Sequence, residues 1–244
     1  MRKSTFSNFL LCAVLSTVVL QSCKDDSHLL AAPPVPNQSF VEEFDTLQNA
    51  HNRGWRMINR SAPVGTTNWM AAPGPAYFMG AYSSRGTNMG AAFSDYQATA
   101  GTNAGIISNW LISPEVYMQN GDKIIFYSRS QISSTAANGT DYSCRLQVRV
   151  NPFDGSLSVG DGEDAGKFTT LLLDINPAEQ AFTNATQLPT AFPINWTRFE
   201  ATVSGIPNQQ KGRFAFRYFL HGAGSAGKGN GVGIDSVAFV SKQQ

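Results

Sequence analysis

Between Asn109 and Ser130 the chain reads NWLISPEVYMQNGDKIIFYSRS, and no other stretch narrows its fold as much. Trp110 to Ile112 ends a buried strand. Ser113-Pro114 breaks it, because proline has no N–H for a ladder and pushes its predecessor away from helix. Gln119-Asn120-Gly121-Asp122 is a tight polar turn in which Gly121 supplies a positive φ. Lys123 to Ser130 then forms a second strand, rich in Ile, Phe and Tyr.

The rest of the chain repeats this style, with almost no helical period. Strands are expected at Phe40 to Phe44, Trp55 to Asn59, Ala76 to Tyr82, Gly90 to Phe93, Gly105 to Ile112 and Asp122 to Ser130. More follow at Ser143 to Val150, Phe168 to Ile175, Thr197 to Val203, Gly212 to Leu220 and Val232 to Val240. Phe214, Phe216 and Tyr218 fall on one face. Asn176 to Gln180 is expected to open a single helical turn, with Asn176 as cap and Pro177 first. About ten short strands with regular turn signals read as an all-β sandwich or jelly roll. A parallel sheet would need crossover helices that are absent. All-β domains of roughly 200–250 residues commonly form one unit, so 244 residues do not force two. Only 14% of residues are charged and the net charge is +1, which gives no electrostatic case for nucleic acid.

The N-terminus is an address. Arg2 and Lys3 precede the apolar run Phe9 to Leu20, which is shorter than the roughly 20 residues of a spanning helix. Leu20-Gln21-Ser22-Cys23 resembles the lipobox of bacterial lipoproteins, which implies cleavage before Cys23 and a lipid on its sulfur. Lys24-Asp25-Asp26 resembles the signal that sends some lipoproteins to the outer face of the outer membrane. Residues 1–22 are thus expected to be a signal peptide and 23–39 a tether, extended at Ala31 to Pro36. A single domain is expected over 40–244. Cys12 is then removed and Cys23 acylated, which leaves Cys144 without a disulfide partner. Alternation places Cys144 on the apolar face of its strand, where a thiol with no basic neighbour is inert.

Phe44-Asp45, Gly54-Trp55, Asn109 to Pro114, the Gly-Asp turn into Lys123 to Tyr127, and Val232 to Val237 form an ordered series. The series resembles the cleaved-adhesin or choice-of-anchor J domains of bacterial surface proteins. Those domains are related in architecture to MAM domains and jelly-roll carbohydrate-binding modules. The resemblance spans about residues 40–240. It implies a jelly-roll sandwich used for adhesion and for binding glycan or protein, with no catalytic machinery to transfer. It also implies a structural Ca²⁺ beside the first and last strands, where the matching acids are Glu42, Glu43, Asp45 and Asp235. Alternation puts Glu43 and Asp45 on one face and Glu42 on the other. Asp235 sits among Val232, Ile234 and Val237, an unusual place for an unpaired charge. Glu43, Asp45 and Asp235 are therefore the expected ligands. Asp45 stands where the family usually has Glu, and Ser236 where a second Asp is common.

Other motifs lead nowhere. Gly222 to Lys228 fits a phosphate-loop spacing, but Gly229 follows the lysine and no helix follows the loop, so a mobile loop and no nucleotide are expected. Asp161 to Asp164 lacks the glutamate of a calcium loop and reads as a solvated hairpin. His28, His51 and His221 have no metal spacing. Trp55, Trp110 and Trp196 read as core. Trp69, Tyr77, Phe78 and Tyr82 lie between glycines and prolines. Exposed, Trp69, Tyr77 and Tyr82 would make a sugar-stacking platform; buried, they would pack beneath a loop. The expected protein is a lipid-anchored, non-catalytic surface binder of glycan or a protein partner. A glycan-active hydrolase and a purely structural surface component are the alternatives.

Overall fold

A computed structural model describes residues 37–72, 81–83, 90–131, 141–181 and 190–242. Along the chain these form β1 (Phe40–Glu42), α1 (Leu47–Asn52), β2 (Arg56–Asn59), β3 (Met70–Ala71), β4 (Ala92–Asp95), β5 (Gly105–Ile112) and β6 (Val116–Met118). They continue as β7 (Lys123–Ser130), β8 (Leu146–Asn151), β9 (Thr170–Ile175), β10 (Thr197–Thr202), β11 (Gln210–Ala223) and β12 (Gly231–Val240). Gly121 takes a φ of 97° and turns the chain into β7.

Every pairing between these strands is antiparallel. The first sheet has the order β10-β7-β12-β4-β3, with β1 also paired to β12. The second has the order β2-β5-β11-β8-β9, with β6 also paired to β11. The result is the jelly-roll sandwich that the strand pattern predicts. Its interior follows from period-2 alternation. Ile124 and Phe126 of β7 and Val232, Ile234, Val237 and Phe239 of β12 join one buried cluster with Leu111, Val148, Phe214 and Phe216 of the second sheet. Phe126 meets Phe216 edge-on at 4.8 Å between ring centres, and Trp55 meets Phe214 edge-on at 5.8 Å. Such pairs add roughly 0.5–1.5 kcal/mol beyond the area they bury. Cys144 lies in this cluster, and burial pushes its thiol up to about 12.

The second sheet is also covered on its outer face. Trp110, Ile112, Phe168 and Ala215 form a separate buried cluster, packed under Leu157, Val159 and Ala165. The loop expected to be a solvated hairpin is thus a cover, although the Asp161 side chain remains 85% exposed. Arg217 fastens it. Its guanidinium lies over the rings of Trp110 at 4.7 Å and Phe219 at 3.9 Å. It donates to the carbonyls of Gly162 and Asp164 and, from Nε, to Ser108 Oγ at 3.0 Å. Burial, helped by Arg149 and Arg145, lowers its pKa to about 9.

Three local expectations need correction. A helix, α1, was not anticipated; Thr46 caps it by accepting from the N–H of Asn49 at 3.1 Å. The first strand stops at Glu42, because Phe44 adopts a left-handed φ of 49°. Asn176 does not cap a helical turn. It is itself left-handed (φ 58°), and its amide bridges the carbonyls of Cys144 and Gln180.

Candidate binding site on the first sheet

Strand β12 changes neighbours part-way along one edge. It pairs with β4 from Gly231 to Ile234 and with β1 from Val237 to Phe239. Its register against β7 shifts between Asp235 and Ala238, and Ser236 takes a φ of 49°. A bulge of this kind re-aims side chains. Asp235 sits at that break, opposite Tyr127 of β7. Alternation sends its flanking partner Ile234 inward and Asp235 to the outer face.

Asp235 has no exposed surface, yet no cation pairs with it among the described residues. It accepts from Ser83 N at 2.9 Å, from Ser83 Oγ at 3.1 Å and from Ser236 N at 2.6 Å. Burial raises its pKa to about 6, and the nearby Glu43 carboxylate adds to the shift. Glu43 is half-buried. Its Oε1 is 3.5 Å from Ser236 Oγ, and its buried Oε2 has no hydrogen-bond partner among the described residues. Both neighbours of Glu43 are fixed. Glu42 is 2% exposed and holds Arg53, with Nε to Oε2 at 2.8 Å. Phe44 packs against Trp55 at 5.1 Å between ring centres.

Of the expected calcium ligands, the fold thus brings Glu43 and Asp235 together through Ser236. Asp45 is exposed and acts on Arg53 instead. Among the described residues no three acidic, histidine or cysteine side chains converge as a metal-sized group.

The aromatic expectations divide. Tyr82, next to the Ser83 that holds Asp235, stacks on Tyr127 with ring centres 3.5 Å apart and planes 14° from parallel. It remains 43% exposed, so one face rests on Tyr127 while much of the ring meets solvent. Trp69 is 4% exposed within the main core and offers no face to a surface ligand. Trp196 is only partly buried and packs with Met70 on a small cluster of Ala72, Ala91 and Phe93. Tyr77, Phe78, His28 and Cys23 lie outside the described residues. Tyr127 was not anticipated as part of a site. The alternation of β7 placed it on the outer face, but nothing local marked Tyr82 as its partner.

His221 finds an unexpected setting on the second sheet. Its Nδ1 is 2.7 Å from Glu179 Oε1, and Lys228 Nζ is 2.8 Å from Oε2. Burial alone would raise Glu179, but hydrogen bonds from Lys228 and His221 outweigh it and hold the carboxyl below its usual range.

No protein-family profile and no curated protein sequence matches the chain. Solved structures do. The K1 cleaved adhesin domain of Lys-gingipain from Porphyromonas gingivalis W83 aligns at 21% identity and a TM-score of 0.51, covering 84% of this chain and 99% of that one. The K3 cleaved adhesin domain of the same protein aligns at 19% identity and a TM-score of 0.50, covering 83% and 98%. At these identities the likeness is one of fold: a cleaved-adhesin-like jelly roll.

Proposed function

We propose that this protein is a non-catalytic binding protein of the bacterial outer surface, and that it recognises glycan on the outer face of the first sheet. The observation that carries the reading is the Tyr82–Tyr127 stack beside Asp235. An aromatic face held flat by a second ring matches the apolar face of a pyranose, and ordering it costs little on binding. Ser83 and Ser236 fix the adjoining carboxylate, so the polar groups near the ring are already in position.

Ca²⁺ belongs to this proposal as a structural ion. Glu43 Oε2 is buried without a partner among the described residues, and Asp235 is a buried carboxylate beside it. These hard oxygen donors suit a hard cation. Glu43 and Asp235 would hold it, with water or backbone completing the shell, and its charge would keep both carboxylates ionised. Anchoring through a lipid on Cys23, with surface exposure, completes the reading.

The test is an array of immobilised neutral and acidic oligosaccharides probed with the full chain. At least one class binds, and Tyr82→Ala weakens it about tenfold, the equivalent of about 1.4 kcal/mol. Retention of all glycans by the variant would overturn the assignment of the face. Mass analysis of Cys23→Ala and protease treatment of intact cells check the anchor: the variant loses the lipid mass, and the wild-type domain is shaved.

A further inference from the structure

A small cup opens elsewhere on the molecule, between the 3₁₀ turn Tyr96–Ala98 and the glycine-rich loop after β11. Its volume is about 210 Å³, and it is lined by Thr66, Tyr96, Gln97, Thr99, Ala100, Gly101 and Ser225. Sites for drug-sized ligands run roughly 300–1,000 Å³, so this one fits a single ring.

The walls are built in advance. Thr66 N donates to Gln97 O at 2.9 Å and Gly65 N to Ala98 O at 2.8 Å. Asp95 caps the 3₁₀ turn through the N–H of Gln97 and also accepts from Thr67 Oγ1 at 2.7 Å. The loop expected to be mobile is fastened instead. Ser225 N donates to Gly101 O at 3.2 Å, and Ala226 N to Thr102 O at 2.8 Å. Gly224 permits this approach: a Cβ there would stand 1.9 Å from Gly101 O. The sequence that imitates a phosphate loop is therefore used for close backbone packing.

The lining is neutral. Among the described residues no Asp, Glu, Lys, Arg or His borders the cup, so a phosphate, carboxylate or amine would find no counter-charge from them. The hydroxyls of Thr66, Tyr96 and Ser225 and the amide of Gln97 make no hydrogen bond among the described residues, and the Tyr96 ring is 37% exposed. Four solvent-facing neutral donor–acceptor groups around one aromatic ring describe the partner: a ring with several hydroxyls and an apolar face. We infer that this cup is a second binding site, for one neutral pyranose unit. It goes beyond the tyrosine stack. Asp95 pairs with Gly231, four residues before Asp235 on β12, so the two sites are about 13 Å apart along the strand and act independently.

Saturation-transfer NMR on the full chain tests it, with glucose, galactose, mannose and N-acetylglucosamine as probes at millimolar concentration and glucuronate as the charged comparison. We expect transfer to the ring protons of at least one neutral sugar. In the Tyr82→Ala background, which removes the tyrosine face, that signal persists, and adding Tyr96→Ala abolishes it. Thr66→Val keeps shape at an exposed position, so it tests the same contact without threatening the fold, and it weakens binding about fivefold, the cost of one neutral hydrogen bond. No transfer from any neutral sugar would overturn the cup, as would transfer undiminished in both Tyr96→Ala and Thr66→Val. A signal lost only in Tyr82→Ala would refute the cup while supporting the tyrosine face.

Discussion

Asp235→Asn, followed across pH with and without calcium, probes the physics of the first-sheet site. Burial holds the Asp235 carboxyl at about 6 instead of 3.8. Below about pH 4 it is protonated in both folded and unfolded chains and costs nothing. Between about pH 4 and 6 the unfolded chain releases the proton first. The folded state then binds more protons, so stability falls as pH rises, and above 6 the full cost applies. Two pKa units correspond to about 3 kcal/mol. For a domain of this size each kcal/mol moves Tm by about 2–4 °C, so the expected effect is about 6–12 °C. Other carboxylates titrate with the opposite sign, so the readout is Tm of the wild type minus Tm of Asp235→Asn, by calorimetry in EGTA. That difference becomes more negative by about this amount from pH 4 to 7. The variant gives up acceptors for Ser83 and Ser236, but that cost is nearly independent of pH. In calcium the wild-type carboxylate is held ionised and the trend is abolished. A difference flat with pH in EGTA would refute the burial argument, and identical curves with and without calcium would refute the ion.

Other outcomes follow from the same structure. Arg217→Leu leaves the carbonyls of Gly162 and Asp164 without their donor, releases the cover over Trp110 and costs about 3 kcal/mol, read by urea unfolding together with faster amide exchange over residues 158–166. Cys144 stays unreactive to iodoacetamide at pH 8 in the native protein and reacts on unfolding, because its thiol titrates near 12. Thr46→Ala removes the cap of α1 and lowers stability by about 1 kcal/mol in denaturant titrations. Glu179 is held below its usual range, so its contribution is present above about pH 4.5 and fades as pH falls; Glu179→Gln destabilises at pH 7, and its cost shrinks as pH is lowered.

What could be read from the residues was the face of each strand, because a period of two is local. Gly105 to Ile112 and the Phe214, Phe216, Tyr218 face were legible to the residue. What covers a face was not. Arg217 alternates away from Phe216 and looks solvated, yet it is 1% exposed beneath a loop whose sequence reads as a hairpin. Trp69 and Tyr82 share a setting of glycines and prolines, but one is core and the other surface; that depends on which strand each flanking segment meets. Asp235 was legible as an anomaly among apolar neighbours. The alternation that joined Asp45 to Glu43 breaks at Phe44, whose left-handed backbone turns the chain and leaves Asp45 exposed. Six residues of α1 are too few to show a helical period.

Amide-exchange footprinting of the full chain with its best array glycan tests the binding face most directly. The account predicts slowed exchange at residues 82–83, in β7 around Tyr127 and at 235–236, with β5 and β8 unchanged. Protection confined to the second sheet, or none at Tyr82 and Tyr127 under saturating glycan, would contradict it.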